Sequence, residues 1–313
     1  MEEVRAYLEK HLERTRAKMR DALSSDVSAL DNLNQTLLER HGKMVRPTLG
    51  LLSADICGGI TERSVDIAAA TELLHTATLM HDDVIDNASQ RRGIPSVMSL
   101  IGASAAVLVG DYWLVKAVHC ILGRVGCDER MIRAFSKTLS DLAEGELLQM
   151  QKAESLDTTE EDYIRINYGK TASLFESSAI LGALSVGATP EQIEALATFG
   201  RNVGHSFQIR DDILDYGGGT IGKPSRADLR ERKITLPLLC VEGSVAKDLR
   251  EQIRRGNIDS VYEAVVAAGG IDLAYERSRV YIDAATRALA IFPDGPARRR
   301  LVKLANYISD RSL

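Results

Sequence analysis

The sequence predicts an all-α fold, a single large bundle of ten or more helices, and three observations predict it. Apolar residues recur at helical spacing along most of the 313 residues. Apolar/polar alternation sustained over strand length is hard to find. Proline, which breaks helices, occurs only seven times. In the first segment Val4, Leu8, Leu12, Thr15, Met19 and Leu23 recur every three or four residues, with charge on the other faces. Comparable stripes run around 65–86, 99–122, 129–153, 162–186, 190–216, 234–241 and 272–291. Breaks fall at Gly42 to Pro47, Cys57-Gly58-Gly59, Asn87 to Pro95, Gly123 to Cys127, Ala188-Thr189-Pro190, Gly217 to Pro224, Gly269-Gly270 and Pro293 to Pro296. None is long or biased enough to be a linker, so one domain over 1–313 is expected.

Apolar residues make up 45% and charged residues 27%, the balance of a soluble globular chain. A net charge of −5 provides no basic field for nucleic acid. Arg298 to Arg300 read as a solvated helix face. Cys57, Cys120, Cys127 and Cys240 show neither CxxC pairing nor zinc-type spacing, which suits free thiols in a reducing cytosol. The N-terminus lacks the basic and apolar regions of a signal peptide. The uncharged run from Gly93 to Gly110 is interrupted by Pro95 and serines and followed by Asp111 and Lys116. A buried core helix is expected there rather than a membrane span. The composition thus points to a cytoplasmic protein.

Two acidic clusters stand out against this background: Asp82-Asp83-Val84-Ile85-Asp86 and Asp211-Asp212-Ile213-Leu214-Asp215. On a helix the first and last aspartates of each set are i,i+4 neighbours on one face, where like charges repel. Hard divalent cations relieve that repulsion, and Mg²⁺ takes one or two carboxylates together with substrate phosphates. Cations sit nearby in the sequence. Arg91-Arg92-Gly93 follows the first cluster, and Lys43 and Arg46 lie in Gly42-Lys43-Met44-Val45-Arg46-Pro47. Lys170-Thr171 offers an ammonium and a hydroxyl, Gln208 precedes the second cluster, and Lys223 and Lys233 follow it. Taken singly, each is an ordinary surface charge. Together with six carboxylates they suit a diphosphate held through bridging metal. The glycine-rich stretch Gly217 to Lys223 lacks the spacing of a Walker loop. His75 falls on the face of Asp82 and Asp86, within reach of a phosphate, whereas His81 points elsewhere and is assigned to structure.

The ordered motifs resemble the trans-isoprenyl diphosphate synthases of the polyprenyl synthetase family over nearly the whole chain. They are Gly42-Lys43-x-x-Arg46-Pro47, Leu74 to Asp86, Arg91-Arg92-Gly93, Gly110-Asp111, Glu144-Gly145-Glu146 and Gly169-Lys170-Thr171-Ala172, then Phe207 to Asp215, Gly222-Lys223-Pro224, Asp228-Leu229 and Lys233 to Pro237. Three positions depart from the pattern: His41 and Arg232 replace glycines, and Met44 replaces a basic residue, which should weaken phosphate binding.

The resemblance implies an isoprenoid-synthase bundle with a central active-site cavity and Mg²⁺-dependent head-to-tail (1'-4) condensation of isopentenyl diphosphate with an allylic diphosphate. By resemblance, Asp82, Asp86, Asp211 and Asp215 hold Mg²⁺, three ions per site, with Mn²⁺ able to substitute. Asp83, Asp212 and Lys170 join the catalytic set. Arg91, Lys170, Thr171, Gln208 and Lys233 bind the allylic diphosphate, with Lys223 among the substrate contacts. Lys43, Arg46, His75 and Arg92 bind isopentenyl diphosphate. The family also implies a homodimer, to which the helix around 99–122 is a candidate contributor, and peripheral membrane association for product release.

Product length follows from the helix bearing Asp82. A residue five positions earlier lies about 7.5 Å up the axis, where short-chain relatives carry an aromatic ring. Here the positions are Ala77 and Thr78. Small side chains leave the tunnel open, so a long product of roughly six to nine isoprene units is expected by analogy. Three alternatives give different outcomes: a short-chain farnesyl or geranylgeranyl synthase, a terpene cyclase, and a non-catalytic partner subunit. The second DDxxD and the 5% aromatic content argue against the cyclase, the retention of every aspartate against the partner subunit, and the small Ala77 and Thr78 against the short-chain enzyme.

Overall fold

The computed structural model describes residues 1–39, 42–91, 94–123, 128–217, 226–241, 243 and 248–310. Among them the architecture is all-α. The helices are α1 (Glu2–Leu23), α2 (Ser28–Glu39), α3 (Val45–Cys57), α4 (Glu62–Ile85), α5 (Val97–Ile101), α6 (Ala103–Leu122), α7 (Glu129–Ser155) and α8 (Glu160–Asn167). They continue with α9 (Ser173–Leu184), α10 (Pro190–Asp215), α11 (Ala227–Arg230), α12 (Leu236–Leu239), α13 (Leu249–Arg254), α14 (Ile258–Ala267), α15 (Gly270–Ala288) and α16 (Pro296–Ser309). Two-residue strands β1 (Gln90–Arg91) and β2 (Ile94–Pro95) pair antiparallel, a hairpin too short to leave an alternation in the sequence. The chain divides into two compact units, Glu2–Phe135 with Ser178–Ile193, and Ser136–Ser177 with Glu194–Leu313.

In the first unit α4 is the central element. It starts at a reciprocal cap, in which Thr61 Oγ1 accepts from the Ser64 amide and Ser64 Oγ accepts from the Thr61 amide. Its N-terminal half is buried on every side by Val65, Ile67, Ala68, Ala69, Ala70, Leu73 and Leu74, against α1, α3 and α6. Truncating Leu73 or Leu74 to alanine removes a fully enclosed side chain and would cost about 2–5 kcal/mol. Helix α3 is likewise enclosed from Arg46 to Ala54, so its sequence shows no single stripe and carries no helical signature.

Helix α6 corrects the expectation of a buried core helix. It is long and apolar enough to cross a membrane by length and composition, yet only a third of it is buried. Ala106, Val109, Gly110, Trp113, Ala117 and Ile121 face inward. Leu108, Val115 and Leu122, spaced by seven, are 69%, 50% and 42% exposed on another face.

The second unit has its core in Leu156, Tyr216, Leu229, Ile234, Leu238 and Val261, with Tyr163, Ile209, Ile213, Leu236 and Ala274 beside it. The stripe expected to run unbroken over 162–186 is interrupted. Helix α8 gives way to a π-helical turn, Tyr168–Ala172, before α9. A Cβ on Gly145 of α7 would lie 2.8 Å from both Gly169 Cα and Lys170 N, so two glycines bring α7 against this turn. Cys57, Cys120 and Cys240 are free and half-buried, with burial pushing the Cys57 and Cys120 thiols up to about 11. Cys127 lies outside the described residues.

Candidate active site

Both aspartate clusters sit at helix C-termini. Helix α4 ends at Ile85 with Asp86 as its C-cap, and α10 ends at Asp215. The unpaired carbonyls there already carry partial negative charge, so three carboxylates added to each end make a doubly unfavourable arrangement for an isolated protein. Cations reverse its sign. Among the described residues no three His, Cys, Asp or Glu side chains form a preformed cage. The outer aspartates of each set, Asp82 with Asp86 and Asp211 with Asp215, are donors of the kind that fits Mg²⁺, which takes one or two carboxylates and completes its shell with water and phosphate oxygens.

In the first unit Asp82 is half-buried and Asp86 exposed, whereas Asp83 turns inward, almost wholly buried. Arg91 Nε donates to Asp83 Oδ1 at 2.8 Å, so this aspartate ties the arginine of β1 to the helix. His81 serves the structure, as expected. Its ring occupies the space over Gly110, where a Cβ would lie 2.7 Å from Cδ2, and its Nε2 is 3.3 Å from Asp111 Oδ1. The Gly110-Asp111 pair thus seats α6 against the last turn of α4. His75 is half-buried on α4, Lys43 stands exposed before α3, and Arg46 is buried in its first turn. Met44, which stands where the resemblance expects a basic residue, has a structural place of its own. It caps α3 in the left-handed region (φ 53°) with its side chain buried. Ala77 is buried and Thr78, half-buried, donates its hydroxyl to His75 O at 2.8 Å. Arg92 lies outside the described residues.

In the second unit the predicted residues meet in one network. Thr171 Oγ1 donates to Gln208 Oε1 at 2.6 Å, and Gln208 Nε2 donates to Asp212 Oδ1 at 2.8 Å. Tyr163 donates to Asp212 Oδ2 at 2.6 Å. Burial pushes the Asp212 carboxyl up to about 7 despite those two donors, with Asp211 and Asp215 adding to the rise. Bound cations would pull it back down. Lys170, projecting from the π turn, donates to Glu146 Oε2 at 2.6 Å and to Gln149 on α7.

Asp215 accepts the amides of Ala227 at 3.0 Å and Asp228 at 3.1 Å, one on each oxygen, and so anchors α11. That helix ends in a Schellman motif: Lys233 N donates to Asp228 O and Arg232 N to Leu229 O, with Arg232 in the left-handed position (φ 59°). Glycine is thus the residue that this turn favours, and Arg232 holds the same conformation under strain. Lys233, placed by that turn, lines a cavity of about 150 Å³ with Lys152, Lys170, Gln208, Asp212 and Asp228. Asn167 Oδ1 also belongs to a residue of its wall and is buried without a protein partner. Lys223 lies outside the described residues.

Nothing local in the sequence marks Tyr163, Asn167 and Gln149. Glu146 and Asp228 belonged to quoted motifs, but their partners are set by folding.

Comparison with known proteins agrees with the geometry. A family model described as Polyprenyl synthetase matches residues 27–267. The chain is 36% identical over 307 residues to the octaprenyl diphosphate synthase of Escherichia coli (strain K12), covering 94% of each chain. It is similar to the crystal structure of a decaprenyl diphosphate synthase from Rhodobacter capsulatus, with a TM-score of 0.92 at 33% identity, over 100% of this chain and 99% of that one. A polyprenyl synthase from Caulobacter crescentus CB15, complexed with calcium and isoprenyl diphosphate, matches with a TM-score of 0.90 at 31% identity, over 99% and 97% of the two chains.

Proposed function

We propose a reaction for this chain, which belongs to the polyprenyl synthetase family and is a prenyltransferase: repeated head-to-tail (1'-4) condensation of isopentenyl diphosphate onto an allylic diphosphate, giving a long trans-polyprenyl diphosphate. The observation that carries it is the pair of DDxxD sets at two helix C-termini, with Arg91 bound beside one and Lys170, Thr171, Gln208 and Lys233 grouped near the other. Mg²⁺ held by Asp82, Asp86, Asp211 and Asp215 would supply the positive charge that stabilises the departing diphosphate.

Arg91, Lys170, Thr171, Gln208 and Lys233 orient the allylic diphosphate, and Lys43, Arg46, His75 and Arg92 orient isopentenyl diphosphate. As the allylic C–O bond breaks, the isopentenyl alkene attacks the cationic carbon. The proton then lost from the new unit passes to the released diphosphate, so no side-chain base is required. In this reading both units serve one catalytic domain, the enzyme is cytoplasmic, and two copies pair through the apolar face of α6. The small side chains of Ala77 and Thr78 support a product of roughly six to nine isoprene units, by analogy with the octaprenyl enzyme. The test is incubation with labelled isopentenyl diphosphate and a set of allylic primers, followed by chromatography of the dephosphorylated products. Long polyprenols are expected; a cyclic hydrocarbon or unreacted primer would overturn the assignment.

A further inference from the structure

Tyr163 stands at the far end of the network that reaches Gln208 and Thr171, and nothing in the reaction itself calls for a buried phenol there. Its surroundings fix the direction of every hydrogen bond. Asn167 Nδ2 lies 3.4 Å from the Tyr163 hydroxyl and 3.3 Å from His205 O, so it acts as a donor to both. The phenol's one hydrogen is therefore free to point at Asp212, which it meets at 2.6 Å. Ionised, as cations held by the neighbouring Asp211 and Asp215 would keep it, Asp212 only accepts. With Oδ2 taken by Tyr163, Oδ1 takes the amide of Gln208, and a flipped Gln208 would set carbonyl against carboxylate. Gln208 Oε1 must then face Thr171 and accept its hydroxyl. This leaves one Nε2–H of Gln208 uncommitted within the network, and Gln208 lines the cavity shared with Lys170 and Lys233.

We propose that Tyr163 is a positioning residue for the allylic diphosphate, acting through Asp212 to lock the Gln208 amide with one N–H presented to the substrate. The assignment rests on the prenyl-transfer reading above. Its distinguishing consequence is selectivity between the two substrates. Losing the hydroxyl should disturb the allylic site and leave the isopentenyl site alone, because the residues assigned to the latter belong to other elements.

The experiment is steady-state kinetics of Tyr163→Phe, a change that keeps the ring and its packing. KM for the allylic primer should rise about tenfold, the scale of one charge-assisted hydrogen bond, while KM for isopentenyl diphosphate stays within about twofold. Asp212→Asn, whose amide can face either way, should reproduce the split if Tyr163→Phe folds poorly. In a Gln208→Ala background, Tyr163→Phe should add no further loss. Equal rises in both KM values, or a full additional loss in that background, would overturn the proposal. Calorimetric titration with inorganic diphosphate and Mg²⁺ separates the two readings. Should the wild type elongate no primer, the reaction is wrong, yet tenfold weaker diphosphate binding by Tyr163→Phe would still support the network; unchanged binding would overturn it.

Discussion

Arg91 and Asp83 are joined at 2.8 Å through Nε and Oδ1, inside the unit that carries the first cluster. The middle aspartate is therefore committed to a protein cation, while Asp82 and Asp86 remain at the helix end. A division of labour follows. Asp82→Ala and Asp211→Ala should each cut turnover by orders of magnitude with helical circular dichroism unchanged, since a lost metal ligand removes transition-state stabilisation directly. Asp83→Asn should act more mildly, raising the allylic KM by roughly threefold to tenfold through a loosened Arg91. Near-normal turnover in Asp82→Ala or Asp211→Ala would refute the metal assignment.

Arg232 occupies the left-handed position of a Schellman motif where glycine is the unstrained choice. Arg232→Gly should stabilise the protein by about 1 kcal/mol, visible as a raised urea midpoint at constant slope. Turnover should be retained, since glycine preserves the turn that places Lys233. A lowered midpoint would show that the arginine side chain contributes more than its backbone costs.

His205 is buried, stacked on Tyr281 at 4.9 Å and beside Tyr168, and its Nδ1 has no hydrogen-bond partner. Burial first, and Arg201 second, lower its pKa to about 4 from 6.5. The folded protein thus prefers neutral imidazole. Above pH 6.5 both folded and unfolded states are neutral and the full stability is present. As pH falls from 6.5 through 4 the unfolded state takes up the proton first, and about 3 kcal/mol is lost. Denaturant melts of wild type and His205→Gln between pH 7 and pH 4 check this: the wild type should lose more over that window. Parallel losses would assign the acid sensitivity to other groups.

Ala77 is 1% exposed, five residues before Asp82 on α4. An aromatic ring has no room to yield in a wall packed this closely. Ala77→Phe, which sets a ring ~7.5 Å up the helix axis from Asp82, should shorten the product to about three or four isoprene units. Chromatography of the dephosphorylated products reads it. An unchanged product would place the stop at a deeper side chain, and a wild type that halts at three or four units would end the tunnel argument.

The exposed face of α6 should be covered by a second copy. Light scattering at micromolar concentration is expected to show a dimer, and Leu108→Glu with Val115→Glu should yield a monomer that remains helical. A wild-type monomer would contradict the pairing.

Much of this is legible in the sequence. Helical period is a local property, so the stripes from Val4 to Leu23 and through 190–216 marked their helices directly, and the spacing within each DDxxD put its outer aspartates on one face. The short pieces α2 and α14 leave no stripe that stands out, α16 shows only its arginine face, and α3, enclosed on all sides, has no stripe to show. Only the tertiary structure decided which way each middle aspartate turns, that Lys170 rides on a π turn opened by Gly145 and Gly169, and that α6 buries one face and leaves another apolar and bare. The physical reason is the same in each case. Periodicity states which residues share a face, but the partner opposite that face is set by packing between distant segments, as with Tyr163 and Asp212, which meet across 49 positions of sequence.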